Sequence, residues 1–140
     1  MIENPARVLE LIRQALEEHL DTTAEKLPTV WENRAAPDGL DTTLDVHQKA
    51  FLIPTKPKAL GLRQKNVLHR GIFQINLCYP VGIGAYDVAT RAGTIAEHYR
   101  GRTLEVEGLK VRIVGYPEIS AAVTQSPYVV PVSISYESIN

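Results

Sequence analysis

The sequence predicts an α+β fold, with a mostly antiparallel or mixed β-sheet, two helices packed on one face, and a β-hairpin. Three observations predict it. Helical and extended segments follow one another in the order helix, strands, helix, strands. Residues 71–79 and 128–136 show the period-two alternation of strands. Two other stretches, one near the N-terminus and one from Ala85, show the apolar spacing of amphipathic helices. A single domain spanning residues 1–140 accommodates all of them.

The first helix begins at Asn4-Pro5. Asparagine is a favourable N-cap, and proline at the first helical position gives up only an amide that has no intrahelical acceptor. Val8, Leu11, Ile12, Ala15, Leu16 and Leu20 form its apolar face. Arg7, Glu10, Arg13, Gln14, Glu17 and Glu18 form the wet one, and Asp21-Thr22-Thr23 closes it. Residues 28–33 read as a brief strand bearing the only tryptophan, Trp31. Residues 34–49, with Pro37, Gly39 and three aspartates, read as a loop longer than compact domains usually carry. Residues 50–54 (AFLIP) form a short apolar strand, with Pro54 and Pro57 marking an edge or an end.

The basic stretch 58–69 leads into a long strand ending at Tyr79. Phe73, Ile75, Leu77 and Tyr79 share one face of that strand; Ile72, Gln74, Asn76 and Cys78 share the other. Pro80, Gly82 and Gly84 end it. From Ala85 the period changes, and Ala85, Val88, Ala89, Ala92, Ile95, Ala96 and Tyr99 make one helical stripe that stops at Arg100-Gly101. Residues 103–106, Glu107-Gly108 and residues 109–114 read as a hairpin, although Glu-Gly is a weaker turn signal than Asn-Gly. The last strand, residues 125–136, turns Tyr128, Val130, Val132, Ile134 and Tyr136 inward. Pro131, Ser133 and Ser135 point away, and Pro131 implies an unpaired side or a bulge.

Composition narrows the function classes. A chain of 140 residues buries about 68–70% of its unfolded surface, enough for a core without metal or disulfide. The net charge of −1 offers no bulk attraction to nucleic acid or anionic lipid. Cys78 stands alone, so no intrachain disulfide forms. No apolar segment reaches the roughly 18–20 residues that span a bilayer. Met1-Ile2-Glu3 lacks the basic start and apolar run of a secretory signal, so a soluble intracellular protein is expected.

Candidate catalytic and binding motifs are weak. Gly82-Ile83-Gly84 lies between a strand and a helix, where nucleotide-binding loops sit, but the third glycine is missing and Asp87 would repel a pyrophosphate. His19, His47, His69 and His98 lack metal-site spacing. Asp38, Asp41 and Asp45 lack the pattern of a calcium loop. No serine lies in a nucleophile elbow, Cys78 lies within a strand, and Glu17 and Glu18 are expected to face solvent. No catalytic residue, cofactor or metal is therefore assigned. The basic run through Arg63, Lys65 and Arg70 is either a charge-protected strand edge or a contact with a partner or DNA.

Several segments in fixed order resemble the phage tail terminator family, typified by the lambda-type tail terminator and its prophage relatives. They are Val30-Trp31-Glu32-Asn33, the strand at 50–54, and Arg70-Gly71-Ile72-Phe73-Gln74 leading to Tyr79-Pro80-Val81-Gly82-Ile83-Gly84. The helix ending Tyr99-Arg100-Gly101 follows, and then residues 128–136, YVVPVSISY. The resemblance runs from about Pro5 to Tyr136.

It implies an α+β subunit of a hexameric ring in the virion tail, assembled in the host cytoplasm. Such a ring caps the tail tube, ends its polymerisation and meets the head-completion proteins. Its implied partners are other copies of itself, the tail tube protein, a connector protein and, transiently, packaged DNA. The family offers no catalytic residues. Ring symmetry calls for heterologous contacts, and Asp38, Asp41 and Asp45 of the long loop, with Pro131 of the last strand, are the expected suppliers. Trp31 is either an interface anchor or a core residue. Arg63, Lys65 and Arg70 are the expected lumen- or DNA-facing cations. The alternatives are a head–tail connector of the same virion and a small nucleotide-binding domain built on the Gly82–Gly84 turn.

Overall fold

A computed structural model describes residues 4–62, 66–82, 84–125 and 127–140, so Arg63, Lys65 and Ile83 lie outside the described residues. Helix α1 spans Pro5–Asp21, and Asn4 caps it by accepting the Ala6 amide at 2.9 Å. Strands β1 (Thr29–Trp31), β2 (His47–Pro54), β3 (Lys58–Leu60) and β4 (Asn66–Tyr79) follow, then α2 (Ala85–Tyr99). The chain continues as β5 (Thr103–Val106), β6 (Leu109–Ile113), β7 (Glu118–Ile119), β8 (Thr124–Gln125) and β9 (Tyr128–Ile139).

One mixed sheet results, in the order β1-β2-β4-β9-β6-β5, with β3 beside β4 and both β7 and β8 beside β9. The expected α+β fold is the observed one. Its centre is the β4–β9 ladder, antiparallel from Tyr79 opposite Tyr128 to Leu68 opposite Ile139. Phe73, Ile75 and Leu77 are fully buried on the face where both helices pack, opposite buried Ile134, Val132 and Val130. The other face carries half-buried Ile72, Gln74 and Asn76 and exposed Ser135. Between β5 and β6, Glu107 and Gly108 both have positive φ (45° and 81°), which is the twist a two-residue hairpin requires.

Three local expectations need correction. The stretch read as a loop through residue 49 ends earlier, because β2 begins at His47. His47 and Gln48 look like loop residues but are buried and bonded. His47 Nδ1 meets the Asp45 carbonyl at 2.8 Å, and Gln48 Nε2 donates to Thr29 Oγ1 at 3.0 Å. The length of the remaining loop has a topological cause. β1 and β2 run parallel, and parallel neighbours need a crossover rather than a tight turn. Second, Glu17 does not face solvent: it is buried, and desolvation raises its pKa. Third, Ala85 and Ala89 of the α2 stripe are exposed, whereas Arg91 is buried. Pro131 points away from the helical face and is itself buried. Its carbonyl accepts the Ser120 amide at 3.0 Å, so its missing N–H faces the same edge, where β7 ends and β8 has not begun.

Arg91 ties the linker after α1 to the sheet. Its Nη1 donates to the carbonyls of Ala24 and Glu25, each at 2.8 Å, and Nη2 donates to Gln48 Oε1 at 3.4 Å. Glu25 has φ of 55°, a conformation that side chains seldom adopt without support. Arg91→Met keeps the stem but removes these donors. It is expected to cost about 2–3 kcal/mol in chemical denaturation, since bonds from charged donors are the stronger ones.

The C-terminal ends of the two helices are cross-bonded through histidines. The imidazoles of His19 and His98 stack at 4.0 Å between centroids. Each Nε2 donates to the other residue's carbonyl, at 2.7 Å from His19 and 2.8 Å from His98. Burial pushes the His19 pKa down, and burial also lowers that of His69, whose Nδ1 has no partner. Both groups bind protons more readily when unfolded, so stability is complete above the unfolded histidine pKa of about 6.5 and falls as pH drops through it. Thermal melts from about pH 7.5 to 5.5 should show this loss, and His19→Gln should flatten the slope.

Candidate assembly surface

Helix α1 and strand β1 together frame a groove. Glu10, Glu17, Glu18 and Asp21 project from one side of α1 at helical spacing, and Trp31 and Arg34 complete the walls of a cavity of about 250 Å³. Trp31 is half-buried. It packs on the core and also lines this groove. Arg34 Nη2 reaches Glu17 Oε1 at 3.3 Å, and Arg13 bridges Glu10 at 2.8 Å and Glu32 at 3.4 Å. Glu32 in turn accepts the Leu52 amide at 2.7 Å, which fixes this border to β2.

The loop beyond the groove is shaped by its own aspartates. Asp41 Oδ1 accepts the Thr43 amide at 2.9 Å and the Thr43 hydroxyl at 2.6 Å, and these bonds lower the Asp41 pKa. Asp45 Oδ2 accepts the Asp41 amide at 2.9 Å. Asp38, Asp41 and Asp45 are all exposed, so their charges add to the acidic flank.

The opposite end of the sheet is a basic arm. β2 and β3 both pair with β4 and behave as one strand interrupted by a bulge. Pro54 stands opposite Gly71 and Lys58 opposite Leu68, leaving one extra residue on the β2–β3 side. Thr55 closes the bulge by donating its amide and its hydroxyl to the Arg70 carbonyl, each at 2.9 Å. Lys56, Lys58 and Arg70 are exposed here, and Leu62 at the arm's tip is fully exposed.

The Gly82–Gly84 turn borders a cavity of about 300 Å³ lined by Pro80, Val81, Gly82, Gly84, Ala85 and Tyr128, none of them charged. Gly82 and Gly84 take φ of 96° and 92°, which explains the glycines as turn residues, and α2 starts without a side-chain cap. The Cys78 thiol is buried and desolvation raises its pKa, which disfavours the thiolate. Among the described residues, no three His, Cys, Asp or Glu side chains converge as a metal site, and no helix is long and apolar enough to cross a membrane.

A family profile described as phage tail terminator protein matches residues 11–136. The chain belongs to the phage tail terminator family. Its place is therefore the virion tail, in a structural role. Solved structures agree on the fold of this terminator chain. Eleven solved chains match it. One, 23% identical, superposes with a TM-score of 0.70 over 93% of this chain and 94% of its own. No curated protein matches the sequence. The matched span runs from the middle of α1 to the inward Tyr136 of β9, so it contains the arm and all of the groove's lining except Glu10.

Proposed function

We propose that this chain closes into a hexameric ring on the end of the tail tube, halts addition of tube protein and offers its other side to the head-completion proteins. Membership of the family over residues 11–136 carries this reading. The surface chemistry supports it, because an acidic groove and a basic arm on one subunit are the unlike patches that head-to-tail ring contacts use. Assembly takes place in the host cytoplasm before the head and tail join.

Light scattering coupled to size exclusion, over a range of protein concentrations and salt levels, tests the ring. The expected result is a mass of six subunits at low salt that declines as salt screens the contacts. A chain that stays monomeric both in solution and on purified tail tubes would overturn it.

A further inference from the structure

The near-neutral total hides a segregation of charge. Residues 1–45 hold ten carboxylates against four lysines and arginines, whereas residues 46–86 hold six lysines and arginines and no carboxylate. The first block builds α1, β1 and the crossover loop; the second builds β2, β3 and β4. A chain with a net charge of −1 is thus strongly divided between two sets of elements.

Each set leaves charge uncompensated. Of the groove's four carboxylates, Glu10 pairs with Arg13 and Glu17 with Arg34, while Glu18 and Asp21 have no cation among the described residues. Glu17 is only 8% exposed, yet its Oε2 has no hydrogen-bond partner, a costly state for a buried carboxylate. Neither Asp21 nor Glu18 forms an ion pair among the described residues, and Glu18 Oε1 accepts a hydrogen bond from neutral Gln14 Nε2 at 3.1 Å. On the arm, Lys56, Lys58 and Arg70 likewise form no ion pair among the described residues.

We infer that the basic arm of one copy lies in the α1–Trp31 groove of a second copy, its Lys56, Lys58 and Arg70 supplying the cations that Glu18 and Asp21 lack. The contact joins two different patches, so it propagates from copy to copy rather than stopping at a two-fold pair. Trp31 gives it an aromatic wall against which arginine and lysine stems pack. Nucleic acid would satisfy the arm but leave Glu18 and Asp21 without cations, whereas a second copy satisfies both surfaces at once. The inference rests on the ring reading and names the contact within it.

Charge reversal tests it, because the residues needed are exposed and their replacement leaves the core untouched. One variant carries Lys56→Glu, Lys58→Glu and Arg70→Glu; the other carries Glu18→Lys and Asp21→Lys. Each alone should remain monomeric by light scattering, since its arm and groove now bear the same sign. Mixed in equal amounts they should regain the wild-type mass, because each arm then meets an oppositely charged groove in alternating order.

Wild-type assembly by either variant alone, or failure of the mixture to assemble, would overturn the contact while leaving the ring intact. Failure of the wild-type chain itself to assemble would strike the ring reading instead. An arm variant that assembles normally but loses salt-sensitive retention on duplex DNA would also overturn the inference and assign the cations to nucleic acid.

Discussion

Gly71→Ala is expected to destabilise the protein by about 3 kcal/mol, the upper end of overpacking penalties. The reason is steric. A Cβ at this position would lie 2.4 Å from the Ile53 carbonyl oxygen, 2.7 Å from the Tyr136 hydroxyl and 2.8 Å from Pro54 Cα. Two of these atoms belong to the backbone of β2, which is hydrogen-bonded to β4 at this register and cannot retreat without breaking the ladder. The third is a phenol whose Oη is buried without a partner and whose pKa is pushed up to about 12 by burial. Tyr136→Phe should therefore be nearly neutral, and it should rescue Gly71→Ala only in small part because the backbone clash persists. Urea titration of the two single variants and the double variant checks this, and wild-type stability for Gly71→Ala would refute it.

Tyr99→Ala should cost more, about 3–5 kcal/mol, the range for removing a large buried aromatic. Tyr99 is fully buried at the end of α2, where its ring lies 4.7 Å from the His19 ring and 6.4 Å from the Phe73 ring. Its hydroxyl donates to the Leu16 carbonyl at 2.7 Å. It therefore joins both helices and the sheet in one contact. Tyr99→Phe isolates the hydroxyl and should lose only about 1 kcal/mol. Equal losses for the two substitutions would mean that the hydroxyl bond, not the packing, holds the helices together.

The parts of the fold legible in the sequence are those fixed by local chemistry. Asn4-Pro5 starts α1, the alternation through Phe73, Ile75 and Leu77 defines β4, and Glu107-Gly108 supplies the hairpin turn. The parts that were not legible depend on partners distant in sequence. Gln48 reads as loop until Thr29 and Arg91 bond it, and Glu17 reads as solvent-facing until β1 and Arg34 close over it. The parallel pairing of β1 with β2 leaves no trace in either strand's composition, and only the long intervening segment hints at it. No single motif marks the candidate site. The groove and the arm are surfaces made of ordinary charged residues, whose grouping depends on elements distant in sequence.

We propose that this chain ends tail-tube growth. The direct measurement is polymerisation of purified tube protein with and without the chain, with tube lengths scored by electron microscopy. The expected result is short, capped tubes whose tips carry the added protein and which no longer elongate when fresh tube protein is supplied. Tubes that grow to the same length distribution with bare tips at saturating concentrations of the chain would contradict it.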